Sequence, residues 1–422
     1  MEKVTGRKLI LGIQHVLAMF GATVLVPALT GLNTSITLFC AGIGTLLFHL
    51  VTKRKVPVFL GSSFAFMGGI MAVLGTSRAG DPDYIEKLAA VKGGLIVAGL
   101  VYVIFALIIK LVGYEKVNKV LPPIVTGPVI IVIGLRLSGS AINNAFYVDG
   151  TFDMKAVFVT VCVLLTVVLI SIFAKGIFNL MPILFAIIVG YVISYFMGFC
   201  DFSSVGSASF FSFMDQSIME QLTCMPVFRA DAVLAIAPIA LVTMVEHVGD
   251  ITTNSAVTGQ NFMVDPGVHR TLLGDGLATA LAGLLGGPAN TTYGENTGVL
   301  AVTKNYDPSI IRIAAFFAIL LGIFGKVGAV ITSIPGPVIG GISIVLYGMI
   351  SSVGVRILVN ERLNFGNSRN LMIAAIVLVL GIGCDSIPVT GTVTISGLAL
   401  AAVVGIVLAF LLPEGEDSVL KD

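Results

Sequence analysis

Apolar stretches long enough to cross a bilayer recur along the whole chain. Of its 422 residues, 56% are hydrophobic and only 11% are charged, whereas soluble domains carry about 25% charged residues. A hydrocarbon core about 30 Å thick is spanned by a helix of about 20 mostly apolar residues. A chain of this composition is therefore constrained to fold as an integral membrane protein.

Twelve stretches predict complete spanning helices, and two further segments are short and interrupted. The twelve cover residues 9–29, 36–51, 93–112, 122–137, 156–173, 180–197, 233–250, 272–285, 310–328, 338–353, 371–383 and 393–412. The interrupted segments, 58–73 and 290–302, are broken by Gly, Ser, Thr and Asn. We therefore predict an all-α polytopic membrane protein with fourteen transmembrane segments.

Lys and Arg are unequally divided between the two sides that fourteen crossings create. Of the 24 Lys and Arg residues, about 17 fall on the side of both termini and about 7 on the other. Because cytoplasmic loops are enriched in these residues, we expect both termini to be cytoplasmic.

Short matches relate the two halves of the chain. The matching pairs are 14–16 with 246–248, 61–63 with 294–296, and 127–130 with 336–339. Seven segments in each half is an odd number, so the halves must have opposite orientations in the membrane. Inverted repeats with paired interrupted segments are typical of secondary transporters whose site lies near the bilayer midplane, between the breaks.

The second interrupted segment is unusually polar for a membrane-embedded stretch. Residues 289–298 include Asn290, Tyr293, Glu295 and Asn296 besides three threonines. Each unsatisfied polar group in lipid costs several kcal/mol, so this segment should face the protein interior or a water-filled cavity. Glu295 is therefore a candidate substrate ligand. The alternative is that its carboxylate binds free backbone N–H groups of the interrupted helix.

The eighth predicted segment carries three ionisable residues. Glu246 and Asp250 are four residues apart and share one helix face, while His247 points about a quarter-turn away. We expect Glu246 to bind a polar substrate, since thirteen apolar-span residues precede it, whereas Asp250 equally fits a solvated helix end. Several carboxylates in one pocket cannot all stay ionised. Proton coupling through Glu246, His247, Asp250 or Glu295 is therefore a hypothesis.

The first interrupted segment offers backbone groups and an aromatic ring. Its free N–H and C=O groups near Phe64 can meet a planar ligand, and Phe64, Tyr293 and Tyr347 are candidates for ring contacts. Ordinary core packing is the alternative for each aromatic residue. For Gln14 and His15, polar residues of the first span, we favour an interhelical hydrogen bond over ligand contact.

Motifs of enzymes and ATP-driven pumps are absent from the sequence. It contains no phosphate-binding Gly-x-x-x-x-Gly-Lys-Ser/Thr loop, no His-Glu-x-x-His and no Cys-x-x-Cys. The 4 His and 5 Cys are too dispersed to predict a metal centre. The net charge of +1 argues against a nucleic-acid partner. We therefore expect no enzyme activity, no metal and no cofactor, with the proton as coupling ion.

The motifs around these residues resemble those of the nucleobase–ascorbate transporter family, over nearly the whole chain. The matching stretches are 14–15, 19–27, 61–66, 246–249 and 290–298. The family signature Glu/Gln-Asn-x-Gly, four residues, then Thr-Arg/Lys is met by 295–298 and by Thr303-Lys304. The similarity is strongest to the bacterial, uracil-transporting branch.

The resemblance implies proton symport of uracil in the bacterial cytoplasmic (inner) membrane, by alternating access. It implies two inverted repeats of seven segments, with segments 3 and 10 each beginning as a short strand and the two strands pairing antiparallel. It also implies a core domain (1–120 and 231–333), a gate domain (121–200 and 334–412), an extracytoplasmic link (201–230) and a cytoplasmic tail (413–422). Such transporters lie in the lipid bilayer and are often homodimers.

The resemblance also assigns roles to individual residues. Glu246 and Glu295 would bind the base through their side chains, with Asp250 beside them. Phe64 and Gly294 would contribute backbone groups, Tyr293 would line the pocket, and Tyr347 would face it from the gate domain. The residues expected to support this set are Gln14, His15, Ser63 and Asn296.

Asp250 departs from the uracil branch, in which a histidine occupies this position. The xanthine and urate branch often has Gly-Asp there, but it usually has Gln-Asn in place of Glu295-Asn296 and lacks His247. The sequence therefore favours uracil, with a xanthine or urate permease as the alternative. An anion channel or exchanger on the same architecture would need a cationic or dipole-lined site, which Glu246 disfavours. A non-transporting scaffold would not need buried carboxylates.

Overall fold

The computed structural model describes residues 5–113, 122–176, 178–384, 386–390, 393–413 and 419. Within these residues, 7 helical stretches are long and apolar enough to cross a membrane, and 4 shorter helices are also apolar. The 18-residue helix Val268–Leu285 and the two interrupted segments bring the number of crossings to fourteen. Most of the predicted tail, 414–418 and 420–422, lies outside the described residues.

The first half of the chain begins with two long helices, an interrupted segment and a third long helix. Its elements are α1 Gly6–Thr30, α2 Thr34–Val51, β1 Leu60–Ser62, α3 Met67–Leu74, α4 Tyr84–Val112, α5 Pro123–Arg136, α6 Ser138–Phe146, β2 Tyr147–Val148, β3 Thr151–Phe152, α7 Met154–Phe173 and α8 Pro182–Met197. Strands β2 and β3 form a small hairpin outside the helices.

The second half follows a link with short helices and repeats this order. Its elements are α9 Ser203–Ser207, α10 Gln216–Thr223, α11 Ala230–Ile236, α12 Ile239–Thr258, α13 Val268–Leu285, β4 Asn290–Thr292, α14 Gly294–Thr303, α15 Pro308–Ile323, α16 Gly325–Thr332, α17 Gly336–Asn360, α18 Ser368–Gly383, β5 Ser386–Thr390, β6 Val393–Ser396 and α19 Gly397–Leu411.

The packing of the helices confirms the inverted repeat. Helix α4 packs on α13, and α2 packs on α15; these are segments 4 with 9 and 2 with 11, two pairs that the repeat exchanges. Helices α7 and α8 pack together in the first half, as α18 and α19 do in the second. Exchanging the two repeats turns the pair α5–α17 into itself, and it does the same for the pair β1–β4. The pseudo-two-fold axis therefore passes close to both pairs.

Small residues bring α4 and α13 into close contact. A Cβ atom added at Gly99 would lie 2.5 Å from the backbone oxygen of Gly276, and one added at Gly276 would lie 2.4 Å from the Cβ atom of Tyr102. Small residues allow such close approach of membrane helices, where lipid provides no hydrophobic driving force between them. This contact fixes α13 behind the interrupted segments.

One predicted span differs from the sequence expectation. The predicted span 393–412 begins as strand β6, which pairs antiparallel with β5, and its helix begins only at Gly397. The run Val-Thr-Ile before Ser396 is β-branched and favours an extended chain, and the Ser396 hydroxyl accepts a hydrogen bond from the Ala399 N–H at 3.3 Å. The link, residues 201–230, whose structure could not be predicted from the sequence, contains α9 and α10.

Candidate functional site

Two short antiparallel strands meet in the centre of the molecule, which confirms the expectation for segments 3 and 10. Leu60 lies opposite Thr292, and Ser62 lies opposite Asn290. The Tyr293 N–H donates to the Phe59 carbonyl at 3.0 Å. Because hydrogen-bonded and non-hydrogen-bonded pairs alternate along such a ladder, residues 60, 62, 290 and 292 direct their backbone groups outward.

Side-chain hydroxyls satisfy these outward backbone groups. Thr45 Oγ1 accepts from the Leu60 N–H at 2.9 Å, Thr279 Oγ1 donates to the Asn290 carbonyl at 2.8 Å, and the Tyr293 hydroxyl donates to the Ser62 carbonyl at 2.8 Å. Each of these groups would cost several kcal/mol if left unpaired in a membrane interior. Polar residues of α2 and α13 therefore make the two-stranded sheet possible at this depth.

A helix begins just beyond each strand. Helix α14 starts at Gly294 directly after β4, and α3 starts at Met67 a few residues after β1. The first N–H groups of a helix lack intrahelical partners and carry the positive end of its dipole. Glu295 lies in the first turn of α14. We call the β1–β4 pair, together with the starts of α3 and α14, the strand crossing. Free backbone N–H donors and a carboxylate therefore lie together there.

The structure brings the three predicted carboxylates together at this crossing. Asp250 accepts a hydrogen bond from Thr292 Oγ1 at 3.0 Å, and a Cβ atom added at Gly294 would lie 3.7 Å from Asp250 Oδ1. The carboxylate of Glu246 lies within electrostatic range of Glu295, and Asp250 lies within range of both. Three acidic side chains therefore converge beside β4 and the start of α14.

An exposed polar face leads away from these carboxylates along α12. Glu246 and Asp250 are half-buried, and Gly249 and Thr253 on the same face are exposed. A face with two carboxylates cannot lie against hydrocarbon, so it borders a water-filled space. The exposed residues of this face run from Gly249 to Thr253, toward the end of the helix at Thr258, on the side predicted to be cytoplasmic.

A buried His–Asp pair stands behind the site. His247 Nδ1 lies 2.8 Å from Asp275 Oδ2, and both side chains are 0% exposed. The Thr292 backbone N–H also interacts with the Asp275 carboxylate. Asp275 therefore connects α12, α13 and β4. The sequence reading missed it, although a carboxylate inside the apolar span 272–285 was the available signal.

The three candidate aromatic residues belong to one apolar cluster, in which Tyr293 and Tyr347 are buried and Phe64 is half-buried. The Tyr293 ring lies against Gly61, where an added Cβ atom would be only 2.3 Å from Cζ of the ring. Its hydroxyl is held by Ser62 and by Thr23 Oγ1, the latter at 3.3 Å. The observed contacts of Tyr293 stabilise β1, and its contact with a base stays a prediction.

The four supporting residues lie around the same crossing. Asn296 Nδ2 lies 3.0 Å from both Nδ1 and the carbonyl oxygen of His15, so it joins α14 to α1. The Ser63 N–H donates to the Ala289 carbonyl at 2.8 Å, while the Ser63 hydroxyl and Gln14 Oε1 are buried without a hydrogen-bond partner in the part of the chain that the structure describes. Among the described residues, no group of His, Cys, Asp and Glu is arranged to hold a metal ion.

Comparison with known sequences identifies related permeases. A profile described as "Permease family" matches residues 6–390. The uracil permease of Bacillus caldolyticus is 45% identical over 410 residues, 97% of this chain and 92% of that protein. The uracil permease of Bacillus subtilis (strain 168) is 41% identical over 411 residues, 96% and 92%. The putative pyrimidine permease RutG of Escherichia coli (strain K12) is 38% identical over 411 residues, 96% and 89%.

Solved structures with the same architecture are distant in sequence. The transmembrane domain of the cyanobacterial bicarbonate transporter BicA matches with a TM-score of 0.63 at 16% identity, over 96% of this chain and 97% of that chain. Murine Slc26a9 in its inward-facing state matches with a TM-score of 0.70 at 10% identity, over 97% and 68%. These matches establish the fold, with its two inverted repeats of seven segments.

Proposed function

This chain belongs to the Permease family, and on that premise we propose that it takes up uracil across the bacterial cytoplasmic membrane by symport with protons. Relatives of nearly equal length that are 45% and 41% identical are named uracil permeases. The observation that carries the proposal is the convergence of Glu246, Asp250 and Glu295 on the backbone groups of the strand crossing.

The chemistry of the crossing suits a flat neutral ring. Uracil presents two ring N–H donors and two carbonyl acceptors, so it is bound by hydrogen bonds and packing, not by ion pairing. The carboxylates of Glu246 and Glu295 accept from N–H groups, and the first N–H groups of α14, beginning at Gly294, donate to a carbonyl. A backbone group of Phe64 completes the predicted contacts.

The carboxylates also provide a site for the coupling proton. Glu246, Asp250 and Glu295 lie in one another's electrostatic range, and like charges at membrane depth favour a shared proton. His247, which is paired with Asp275 and follows Glu246 in the chain, is the further candidate to carry the proton. In the proposed cycle a proton and a base load from outside and both are released inside.

The proposed movement takes place between a core domain (1–120 and 231–333) and a gate domain (121–200 and 334–412). Residues 201–230 link them on the outside, and both termini are cytoplasmic. The described helices of the core ranges pack mainly on one another, as α4 with α13 and α2 with α15 do. Those of the gate ranges do the same, as α5 with α17 and α18 with α19 do. A homodimer is the proposed assembly.

Asp250 supports one alternative substrate class. An acidic residue at this position is shared with the xanthine and urate branch, so a purine is the second candidate. An anion is disfavoured, because the carboxylates of Glu246 and Glu295 would repel it. The likeness to bicarbonate and Slc26 transporters, at 16% and 10% identity, concerns the fold alone.

Uptake of labelled uracil into proteoliposomes tests the proposal. We expect accumulation when the outside is more acidic than the inside, and loss of accumulation when a protonophore collapses the gradient. An excess of unlabelled uracil should compete, whereas xanthine should not. Competition by xanthine but not by uracil would replace the proposed substrate with a purine. Accumulation that does not depend on the proton gradient would exclude proton symport.

A further inference from the structure

A cavity, called the outer cavity below, lies on the opposite side of the strand crossing from the exposed face of α12. Its volume is about 410 Å³, within the range of about 300–1,000 Å³ that is typical of small-molecule sites. Its walls come from α3, α5, α11 and the start of α19, which belong to both proposed domains. The residues that define it here are Ala65, Gly68, Met71, Arg136, Asp231 and Leu398.

This outer cavity and the central site lie at different depths. Asp231, in the first turn of α11, lines the outer cavity. Asp250, nineteen residues further on, lies in the central site, about 28 Å away at 1.5 Å of helix rise per residue. Ala65, which also lines the outer cavity, follows directly after Phe64 beside β1. The cavity therefore approaches the strand crossing from the outer side, while the exposed face of α12 approaches it from the inner side.

The walls of the outer cavity combine apolar surface with three polar side chains, a guanidinium, a carboxylate and the Ser396 hydroxyl. The Arg136 guanidinium comes from the gate side and is held by the Gly381 carbonyl at 3.0 Å. The Asp231 carboxylate comes from the core side and is held by Arg229, whose Nη2 lies 2.6 Å away. Both groups are fixed before a ligand arrives. A flat ring with N–H and C=O groups on its edge and apolar faces matches this lining.

We propose that the outer cavity is a docking site for the same nucleobase, occupied before the base reaches Glu246 and Glu295. The proposal rests on the proposed function, since it takes uracil as the ligand. It adds a second binding position on the uptake route. Separating the domains at the boundary between Ala65 and Leu398 would then pass the base from the outer position to the strand crossing.

Gly68 provides a way to fill the outer cavity without disturbing the core. A Cβ atom added at Gly68 meets no atom within 4 Å, so a Gly68→Trp side chain projects into open space. We expect this variant to lose at least ten-fold in uracil uptake. Its affinity for uracil in detergent should stay within two-fold of wild type, because the central site is open on its other side. Gly139→Trp on α6, where an added Cβ also meets no atom within 4 Å, should leave both quantities unchanged.

A cysteine at the same position tests occupancy and decides the matter if the tryptophan variant fails to fold. Gly68→Cys should transport until an impermeant methanethiosulfonate reagent is added outside, and excess uracil should slow its modification. Uracil should still slow this modification in the double variant Gly68→Cys/Glu246→Gln, in which binding at the central site is removed. Wild-type uptake in Gly68→Trp, or protection that disappears with Glu246→Gln, would overturn the docking site. A wild-type protein that neither binds nor accumulates uracil would instead overturn the proposed function.

Discussion

At the scale of single residues, Asp250 is the position at which the sequence departs from the pattern expected of the uracil-transporting branch. Its carboxylate accepts from Thr292 Oγ1 at 3.0 Å and lies next to Gly294, so it sits within the predicted base site. A carboxylate at this position accepts hydrogen bonds and can take up a proton, whereas an amide cannot be protonated near neutral pH. Its contribution to coupling can therefore be separated from its contribution to binding.

Replacement Asp250→Asn should uncouple uptake from the proton gradient. The amide keeps the size of the side chain and can accept the hydrogen bond from Thr292, but it cannot bind and release a proton near neutral pH. We expect uracil binding to weaken by less than ten-fold while gradient-driven accumulation in proteoliposomes falls to the level of equilibration. Accumulation equal to wild type would exclude Asp250 as the proton carrier. Thr253→Val, on the same exposed face, serves as the control and should accumulate normally.

The His247–Asp275 pair calls for a different variant. Because both side chains are completely buried, Asp275→Asn leaves the imidazole with a weaker partner and loosens the connection between α12 and β4. A hydrogen bond to a charged group is worth about 1.5–3 kcal/mol. We expect uracil binding to fall about ten-fold or more and the pH dependence of uptake to shift. A fall in thermal stability with unchanged affinity and pH profile would assign the pair a structural role only.

At the scale of elements, the link between the two halves, residues 201–230, is fastened to the helices on which it lies. Lys92 of α4 is fully buried, and its ammonium donates to the backbone carbonyls of Gln221 at 2.9 Å and Cys224 at 2.7 Å, at the end of α10. Lys326 of α16 donates to the Gly206 carbonyl at 2.9 Å, at the end of α9. A cation at a helix C-terminus also interacts favourably with the helix dipole.

Loss of the Lys92 ammonium should therefore destabilise the protein. In Lys92→Met the Cys224 carbonyl loses its ammonium donor, and the Gln221 carbonyl is left with the weak Sγ–H donor of Cys224, a change worth about 3 kcal/mol. We expect a clear fall in the apparent melting temperature in detergent. Lys87→Met removes an ion pair with Asp83, whose carboxylate is 50% exposed, and a hydrogen bond to Ser77 Oγ at 2.8 Å, so we expect a much smaller fall. Equal effects of the two variants would contradict the role of Lys92.

The sequence predicted the elements whose signal is local. The interrupted segments were recognisable because Gly, Ser, Thr and Asn replace apolar residues there, and both contain a strand followed by a helix. Asp275 and Lys92 were different, because their partners lie 28 and 129 or more residues away in the chain. The hairpin β5–β6 was hidden because β-branched residues fit a buried strand and a membrane helix equally well in hydropathy.

At the scale of the whole molecule, the inverted repeat places two openings on opposite sides of one central crossing. The exposed face of α12 leads from Asp250 toward the end of the helix at Thr258, and the outer cavity ends at Ala65 beside β1. Helices exchanged by the repeat make equivalent contacts on each side. In an arrangement of this kind, a relative movement of the proposed core and gate domains is enough to change the side from which the crossing is reached.

The central claim is that two acidic side chains at the strand crossing bind the base. Calorimetric titration of purified protein with uracil tests it most directly. We expect Glu246→Gln and Glu295→Gln each to weaken binding about 100-fold, equivalent to about 2.7 kcal/mol, because each removes a charged acceptor. Glu86→Gln, whose carboxylate is 79% exposed at the end of α4, should bind like wild type. Wild-type affinity in both Glu246→Gln and Glu295→Gln would contradict the account.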